Sequence, residues 1–405
     1  MLERRPQWAL HLGATALAML VLLFQAPTGP PYDFCTYYTA GHVTLDNNAG
    51  AAFDFDSINQ AHRENHPVES RIGTFVYSPL FLIPAALFSR LGFETAQVAN
   101  QLLMLLSLSV LLFLLLQRTE GFWLKGLLCL VFVVSDPVTN QFIYQNWSVH
   151  LALFVGLAIH FTLDGRRLPA ALSWALAIHL KAYVGLFLVP LLFLGKRRLV
   201  VTILAVGLAL IVLSLPWVGA DSYSAYVEGM REQAQGWVTY FFNQVSVQST
   251  IARYEFPPSH WPASITPPTL PFLDFIFWLA LPIFGLLSFR LRRDESRALA
   301  ITVPFLLLFF PKIWDHTQIL FFTLFLTDGF VRRTKAVLLV YLLLSWPYFA
   351  LVQHLLVEAL RGVGSAGIIH ALLLYYPVLN LLTVAAILAP PEKTDAPHRP
   401  ADAGT

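Results

Sequence analysis

The chain has 405 residues, of which 57% are hydrophobic and only 12% are charged, and its mean hydropathy is +0.62. A soluble domain carries about 25% charged residues, so this composition leaves too little polar surface for a particle in water. It predicts an integral membrane protein and excludes a soluble enzyme. The formal net charge is +2, and the sequence has no basic stripe that would indicate a nucleic-acid partner. The two cysteines, Cys35 and Cys129, lie far apart, so we expect no disulfide framework.

Apolar runs along the chain predict membrane-spanning helices, although several are shorter than the roughly 20 residues that cross a hydrocarbon core of about 30 Å. In chain order they are Trp8–Gln25, Thr95–Leu116, Phe122–Val134, Val149–Leu163, Val200–Trp217, Phe272–Phe289, Ala298–Phe310, Gln318–Val331, Ala336–Val352 and Ile368–Leu388. The first run could instead be a signal peptide. No small-x-small cleavage motif follows it, so we interpret it as an anchor.

Positive charge is concentrated in alternate connections between these runs. The basic clusters are Arg4–Arg5, Arg118 with Lys125, Arg166–Arg167, Lys196–Arg198, Arg290–Arg293 and Arg332–Lys335. All of them can face the cytoplasm together, as the positive-inside rule requires. We therefore expect a protein of the inner (cytoplasmic) membrane with both termini in the cytoplasm.

The opposite, outer face then receives the long connections at 27–74, 136–146, 219–270 and 353–367. These connections are chemically varied, whereas the cytoplasmic ones are short and basic, so we expect the functional site on the outer face. Residues 1–389 are predicted to form a single transmembrane domain. Residues 390–405 are rich in Pro, Asp and Ala, which predicts a disordered cytoplasmic tail.

Two apolar segments do not fit a simple crossing. Leu80–Leu91 begins after Pro79 and is only about a dozen residues long, which predicts an interfacial or re-entrant helix on the outer face. Leu168–Leu194 lies between two basic clusters and is too short for two crossings, which need about 40 residues. A broken hairpin of two half-helices resolves this, and broken backbone at membrane depth must line protein or a cavity. The predicted fold class is an all-α polytopic bundle of about 12 transmembrane segments, including this hairpin.

Lys181 falls near the tip of the predicted hairpin, roughly 20 Å from its base at 1.5 Å per residue. A charged side chain at membrane depth is costly and usually faces a cavity or a partner. We interpret Lys181 as a fixed cation for an anionic lipid headgroup. The structural alternative is a lysine that snorkels or pairs with a carbonyl at a helix end.

Asp315 and His316 follow a short span that ends at Pro311, which places them below the outer surface near the predicted height of Lys181. Two short helices that converge on one level favour a site. The alternative is a local ion pair with Lys312 beside an interfacial tryptophan.

Asp33 lies just past the first span, in an aromatic stretch that ends at Gly41. A carboxylate at the boundary between water and lipid is suited to act as a general base. The alternative is a helix N-cap, with Gly41 closing the helix.

Amide and aromatic side chains recur in the outer connections, where amides could satisfy sugar hydroxyls and flat rings could cover apolar sugar faces. They are Asn140, Gln141, Tyr144, Gln145, Asn146 and Trp147, followed by Trp237, Tyr240, Phe242, Asn243, Gln244, Ser246 and Gln248. For any single ring, an interfacial aromatic belt is the alternative. The histidines show no ligand spacing, and zinc, phosphate-loop and serine-hydrolase motifs are missing, so we expect neither a metal site nor a bound cofactor.

The ordered set of motifs along the chain is more specific than any one of them. It comprises Asp33 with Tyr37, Tyr38, Ala40 and Gly41, then Phe75, Tyr77 and Pro79, then Gln145, Lys181, Asn243, Gln244 and Ser246, and finally Trp314, Asp315 and His316. This series, from Asp33 to about Gly329, resembles glycosyltransferase family 87, within the GT-C superfamily. Two positions depart from the pattern. Tyr144 stands where a glycine commonly precedes the glutamine, and Ser78 replaces the first of two prolines.

The resemblance implies a membrane transferase that moves a hexose, typically mannose, from a polyprenyl-phosphate carrier to a glycolipid or glycan acceptor on the outer face. It implies that Asp33 is the catalytic base. The substrate-binding residues would be Tyr37, Tyr38, Tyr77, Gln145, Lys181, Asn243, Gln244, Trp314, Asp315 and His316. Because the leaving group is an anionic lipid phosphate, we expect no metal requirement.

Two other classes of protein remain alternatives. A transporter or lipid-linked-sugar flippase would also show cavity charges and broken helices. Such proteins usually have paired halves and a site at the midplane, whereas here the polar groups crowd one face and no repeat is visible. A non-catalytic assembly scaffold leaves the intramembrane lysine unexplained. An inverting glycosyltransferase is therefore the preferred prediction.

Overall fold

The computed structural model describes an entirely helical architecture, without a strand among the described residues. These are residues 5–25, 31–65, 72–234, 244–255, 271–311, 313–327, 332–346, 351, 354–355, 357–358 and 366–389. An isolated antiparallel bridge joins Gln244 to Trp314. The all-α prediction is confirmed.

The helices of the described residues have the following bounds. The α-helices are α1 (Arg5–Gln25), α2 (Tyr32–Leu45), α3 (Phe55–Asn65), α4 (Leu82–Ser89), α5 (Phe93–Arg118), α6 (Phe122–Val134), α7 (Asp136–Tyr144), α8 (Ser148–Leu163), α9 (Arg167–Leu180), α10 (Leu188–Phe193), α11 (Arg197–Ala234), α12 (Val247–Glu255), α13 (Pro271–Arg290), α14 (Glu295–Ala300), α15 (Thr302–Phe309), α16 (Arg332–Leu344), α17 (Ala366–Leu373) and α18 (Tyr375–Leu388). The 3₁₀-helices are Ala49–Phe53, Pro79–Phe81, Ala182–Phe187 and Asp315–Leu326.

Each predicted span overlaps helical structure, but several differ from a single α-helix. The run Ile368–Leu388 is divided between α17 and α18, and α16 ends at Leu344, within the run Ala336–Val352. The run Ala298–Phe310 lies in α14 and α15, which meet at Ile301. The run Gln318–Val331 lies mostly in the 3₁₀-helix Asp315–Leu326, and its residues 328–331 are outside the described part of the chain. Apolar composition marks helical chain here, but it does not show which hydrogen-bond pattern the backbone takes.

Among the described residues, four helical stretches are long and apolar enough to cross a membrane. They are α5 (Phe93–Arg118), α6 with α7 (Phe122–Tyr144), most of α11 (Arg197–Arg231) and α17 with α18 (Gly367–Leu388). Further apolar helices, such as Ser148–Leu163, have 10–17 residues. These helices give the chain its membrane character. The number of about 12 crossings stays a prediction.

The segment around Lys181 forms the predicted broken hairpin. Lys181 is extended, at φ −145° and ψ 110°, between α9 and the 3₁₀-helix that follows it. Arg167, which begins α9, donates from Nε to Thr202 Oγ1 at 2.8 Å, and the His179 ring nitrogen lies 3.1 Å from the Gly207 carbonyl oxygen. α9 and α11 therefore run in the same direction, so the chain between them must return.

The lengths of the two arms agree with this return. The 14 residues of α9 rise by about 21 Å, and the six-residue 3₁₀-helix Ala182–Phe187 and the six residues of α10 together descend by about the same distance. Lys196, just past the descending arm, donates to the Thr162 carbonyl oxygen at 3.2 Å, close to the start of α9. Lys181 thus lies at the far end of the hairpin from its two basic flanks.

Most of the predicted outer loop at 136–146 is a largely buried helix, α7. α7 begins at Asp136, has Pro137 in its first turn, where proline is favoured, and ends before Gln145. The side chains of Asn140 and Gln141 are almost fully buried because they hydrogen-bond to core groups. The polar side chains of this segment therefore have hydrogen-bond partners inside the protein.

The other predicted outer connections also contain helices. Residues 27–74 include α2, α3 and a 3₁₀-helix, and 219–270 include α12 and the end of α11. α11 bends at Gly219, which has φ 73°, a conformation that favours glycine, and Pro216 precedes the bend. Residues 26–30, 66–71, 235–243 and 256–270 lie outside the described residues, as does the predicted tail from 390 onwards.

Charged pairs lie at one end of α8. Asp164, just past that end, forms an ion pair with Arg118, and the neighbouring Lys196 pairs with Glu295 at 2.5 Å. The 16 residues of α8 span about 24 Å, so its other end, which begins after Trp147, is remote from these pairs. The candidate site lies at that second end.

Candidate active site

Asp33 lies in the first turn of α2 and its carboxylate faces Asn146. The Asn146 side-chain amide donates to Asp33 Oδ2 at 2.8 Å. Oδ1 of Asn146 accepts from the backbone N–H and the hydroxyl of Ser148, at 2.8 and 2.6 Å. Since the acceptor side of the amide is occupied, its donor side points to the carboxylate. The N-cap alternative is wrong, because Pro31 is the N-cap and no side-chain cap bond is present.

Gly41 fixes the position of the helix that carries Asp33. A Cβ atom at Gly41 would overlap the carbonyl oxygen of Ala85 and Oγ of Ser89, both on α4. Ser89 Oγ also donates to the Tyr38 carbonyl oxygen at 2.6 Å. α2 continues to Leu45, so Gly41 does not close the helix. It allows close approach of two backbones.

Lys181 is joined to α2 through aromatic side chains. Its Nζ lies 4.4 Å from the centroid of the Tyr77 ring, a cation–π contact that stabilises an ammonium away from bulk water. The Tyr77 hydroxyl is 2.7 Å from that of Tyr37, which also accepts from the backbone N–H of Trp147 at 3.4 Å. Tyr37 is four residues after Asp33, on the same face of α2. The Tyr77 and Tyr37 rings therefore connect the Lys181 ammonium to the helix that carries Asp33.

α7 holds the side chain of Asp315 and the backbone of His316 in place. Asn140 Nδ2 donates to Asp315 Oδ2 at 3.0 Å, and Gln141 Nε2 donates to the His316 carbonyl oxygen at 2.6 Å. Asp315 Oδ1 accepts from the His316 N–H at 2.7 Å and lies 3.6 Å from the ring Nδ1. Asp315 is fully buried beside the His316 imidazole. Lys312, its alternative ion-pair partner, lies outside the described residues.

The structure brings Asp33, Lys181 and His316 together. The charges of His316 and Lys181 both act on the Asp33 carboxyl group, and those of Asp33 and Lys181 both act on the His316 ring. The three side chains come from α2, the hairpin tip and the start of the 3₁₀-helix Asp315–Leu326. Asp33 and Lys181 are partly exposed, so a substrate can reach them.

Burial raises the pKa of Asp33 above its ordinary value of 3.8. Three effects act in the opposite direction, in decreasing order: the charge of His316, the hydrogen bond from Asn146 and the charge of Lys181. The neighbouring Asp315 adds a smaller rise. α2 lies outside the four long apolar helices, and a carboxylate there with a raised pKa is a stronger base than one in bulk water.

Gln145 is fully buried and shapes the turn that carries Asn146. It is left-handed, at φ 52°, and its Oε1 accepts from Asn100 at 3.3 Å. Asn100 Oδ1 in turn accepts from the Trp147 indole N–H at 3.0 Å. The departure at Tyr144 has a physical reason, because the left-handed residue of this turn is Gln145 itself. Gln145 therefore stabilises the turn that positions Asn146.

Gln244 supports the segment that precedes His316. Its backbone forms the bridge to Trp314, and its buried Oε1 accepts from Ser249 Oγ at 3.1 Å. The Trp314 ring lies parallel to that of His316, with centroids 6.3 Å apart and an angle of 8° between their planes. Trp314 is partly exposed and can face a substrate. Asn243, with the predicted aromatic residues at 237, 240 and 242, lies outside the described residues.

Tyr38 packs away from this cluster. Its hydroxyl donates to the Leu91 carbonyl oxygen at 2.8 Å, and its ring contacts Phe93 edge-on, with centroids 5.2 Å apart. It follows Tyr37 by one position, which turns it by about 100° around the helix. The structure therefore places Tyr37 at the site and Tyr38 in the packing between α2 and α5.

Sequence reasoning did not single out Asn146, which is the direct partner of Asp33. It grouped Asn146 with the other amides of the predicted loop. The available signal was the spacing of Asn146 and Ser148 at a helix start, where an asparagine oxygen can accept from the N–H two residues later. That the amide hydrogens meet α2 follows only from tertiary packing.

These features define a membrane-embedded helical protein with a carboxylate, an ammonium and an imidazole at the break of a hairpin. The family model for glycosyltransferase family 87 matches residues 75–311, which is more than half of the chain. The chain belongs to glycosyltransferase family 87 and is a glycosyltransferase by class. A comparison with curated proteins found no match.

The matched region is narrower than the resemblance drawn from the motifs, which begins at Asp33 and continues to about Gly329. It includes Tyr77, Gln145, Lys181, Asn243 and Gln244. It does not include Asp33, Tyr37, Tyr38, Trp314, Asp315 and His316. Asp33 and His316 therefore lie outside the matched segment of the sequence and are joined to it only in the folded structure.

Proposed function

We propose that the chain is an inverting glycosyltransferase that moves a hexose, typically mannose in the family it resembles, from a polyprenyl-phosphate carrier to an acceptor hydroxyl. One observation carries the proposal: Asp33, Lys181 and His316 lie close enough for their charges to act on one another at the far end of the broken hairpin. A transfer from a sugar phosphate needs a base for the attacking hydroxyl and positive charge for the leaving phosphate. This cluster provides both.

Asp33 is the proposed base. The acceptor hydroxyl oxygen attacks the anomeric carbon and gives its proton to the Asp33 carboxylate. The bond between the anomeric carbon and the phosphate oxygen breaks, and its electron pair leaves with the phosphate. The products are the glycosylated acceptor, with its anomeric centre inverted, and polyprenyl phosphate. Protonated Asp33 then releases its proton to solvent.

Lys181 and His316 are the proposed partners of the donor phosphate, where negative charge develops as the bond breaks. Before donor binds, the charge of Lys181 also stabilises the Asp33 carboxylate. A phosphate that pairs with Lys181 offsets this stabilisation. Donor binding should then strengthen the base at the moment when an acceptor can use it.

The location of the reaction is part of the proposal. The cluster lies at the end of α8 remote from the Arg118–Asp164 pair and the basic hairpin flanks. If those basic residues face the cytoplasm, the cluster faces outwards, in a GT-C-like bundle of about 12 segments in the inner membrane. A glycolipid or glycan of the cell envelope is then the acceptor class.

Purified protein in lipid nanodiscs, supplied with labelled polyprenyl-phosphate-mannose and an envelope glycolipid extract, tests this proposal. We expect labelled glycolipid to form without any ion gradient. Asp33→Asn should lower turnover by about 10²- to 10⁴-fold, the usual range for a general base, while donor binding persists. Asp46→Asn, an exposed aspartate just past the end of α2, is the matched control. Movement of intact donor across vesicles with no sugar transfer would instead identify a flippase and overturn the proposal.

A further inference from the structure

A second site candidate lies at the end of the bundle opposite Asp33. A cavity of about 200 Å³ opens between the loop before α9 and the loop before α11. Four basic side chains line it: Arg166, Arg167, Lys196 and Arg198. The two loops are some 30 residues apart in sequence, so only the return of the hairpin brings them to one cavity.

The positive charge at this cavity exceeds the negative charge around it. Lys196 is paired with Glu295 at 2.5 Å, and the nearby Asp164 is paired with Arg118. Among the described residues, no carboxylate forms an ion pair with the three arginines that line the cavity. Like charges held together in this way repel each other unless an anion lies between them.

The cavity walls are built to present donors. The Arg166 guanidinium lies over the Phe161 ring, 4.9 Å from its centroid, and Arg167 Nε donates to Thr202 Oγ1 at 2.8 Å. These contacts limit the conformations of both side chains. The first turns of α9 and α11 also face the cavity, and helix N-termini carry partial positive charge and unsatisfied N–H groups.

We propose that this cavity binds a phosphate anion, held as the headgroup of an acidic membrane phospholipid. The volume is smaller than the roughly 300–1,000 Å³ of typical small-molecule pockets, which suits a headgroup phosphate rather than a whole cofactor. The helices that line it expose apolar side chains such as Leu168 and Val201, at 66% and 63%, as acyl chains require. Basic pockets between membrane helices bind acidic headgroups in this way.

Positive-inside topology alone explains basic loops, but it does not require them to share a cavity. Arg197 makes this distinction testable. It belongs to the same basic cluster and carries the same charge, yet it does not line the cavity. If the basic residues serve only membrane topology, replacing Arg197 or Arg198 should have the same effect. If the cavity is a binding site, only the replacement of Arg198 should weaken binding.

Thermal unfolding and native mass spectrometry of the detergent-purified full chain test the proposal. The probes are short-chain phosphatidylglycerol, the matching phosphatidylcholine and inorganic phosphate. We expect saturable stabilisation and one preferentially bound phosphatidylglycerol, with no such effect of phosphatidylcholine. Arg166→Gln with Arg198→Gln should weaken binding about 30-fold, and Arg197→Gln with Arg293→Gln should leave it within about twofold.

The remaining outcomes are also decisive. Stabilisation by phosphatidylglycerol alone assigns a lipid headgroup, and equal stabilisation by inorganic phosphate assigns a free phosphate to the same site. If the double variant does not fold, the single variants Arg166→Gln and Arg198→Gln can be tested for weaker binding instead. Each of them replaces an exposed side chain. Equal weakening in the cavity and control variants, or no preference of the wild-type chain for the acidic lipid, overturns the proposal.

Discussion

The side-chain amide of Asn146 donates to Asp33 Oδ2 at 2.8 Å while its own oxygen accepts two hydrogen bonds from Ser148. A proposed base on α2 is therefore oriented by a residue at the start of α8. The same hydrogen bond favours the ionised form of Asp33 and opposes the rise in pKa that burial causes. Orientation and basicity thus depend on one amide.

Asn146→Asp separates these two roles. The new carboxylate keeps an oxygen for Ser148 but loses the N–H donor, and it adds a negative charge beside Asp33. The pKa of Asp33 should rise further, so the acidic limb of the pH–rate profile should move to higher pH and activity at neutral pH should fall about 10- to 100-fold. The pH–rate profile with saturating donor is the measurement. Asn48→Asp, at an exposed position near the end of α2, is the control, and an unmoved acidic limb in Asn146→Asp argues against the positioning role.

The pH–rate profile of the wild-type enzyme should show the titration of Asp33. Since burial raises the pKa of Asp33 above 3.8 and the base acts when deprotonated, activity should be low in acid and rise with pH through that raised pKa. The limb should therefore lie above the range of a solvated aspartate. It should disappear from the residual activity of Asp33→Asn. A limb that persists unchanged in that variant would assign it to another group.

Lys181→Met should act mainly on donor binding. It removes the charge proposed for the phosphate and the cation–π contact with Tyr77 while keeping an unbranched side chain. We expect the KM for the donor to rise about 10- to 100-fold, as loss of a charged contact of about 1.5–3 kcal/mol implies. Lys125→Met, near the beginning of α6, removes the same charge elsewhere and should leave KM unchanged. Equal KM values in both variants contradict the assignment.

Gly41→Ala should lower stability and activity together. The added methyl group overlaps backbone of Ala85, which cannot move like a flexible side chain, so α2 and α4 must separate. Overpacking of this kind costs about 1–3 kcal/mol, which corresponds to a lower thermal midpoint. Gly285→Ala on α13 is the control, because no atom lies within 4 Å of its added Cβ and alanine favours a helix. Equal midpoints for the two variants would refute the close packing of α2 on α4.

A chelator should leave activity unchanged. The leaving group is already an anionic phosphate, and its proposed partners are the Lys181 ammonium and the His316 imidazole, so the transfer needs no divalent ion. Initial rates with and without excess chelator are the measurement, with added magnesium as the reversal control. A strict divalent-ion requirement that magnesium restores would show that these side chains do not neutralise the phosphate on their own.

The sequence by itself determined that lipid surrounds this protein and where its apolar helical segments lie. Low charge and long apolar runs leave no alternative to lipid, and the bounds of α6 agree with those predicted. The broken hairpin was also predictable, because Leu168–Leu194 is too short for two crossings yet is basic at both ends. Length and charge are local properties, so they can be read without knowing which segments touch.

Tertiary structure alone decided what each polar side chain does. Tyr37 and Tyr38 are adjacent in an aromatic stretch, but a turn of about 100° sends one to Lys181 and the other to Leu91. Most of the predicted loop at 136–146 is a largely buried helix, because its amides find partners on segments far away in the chain. The hydrogen bond between Asn146 and Asp33 likewise joins residues that no local pattern connects. A polar residue in a membrane protein is positioned by its partners, and those partners are set by packing.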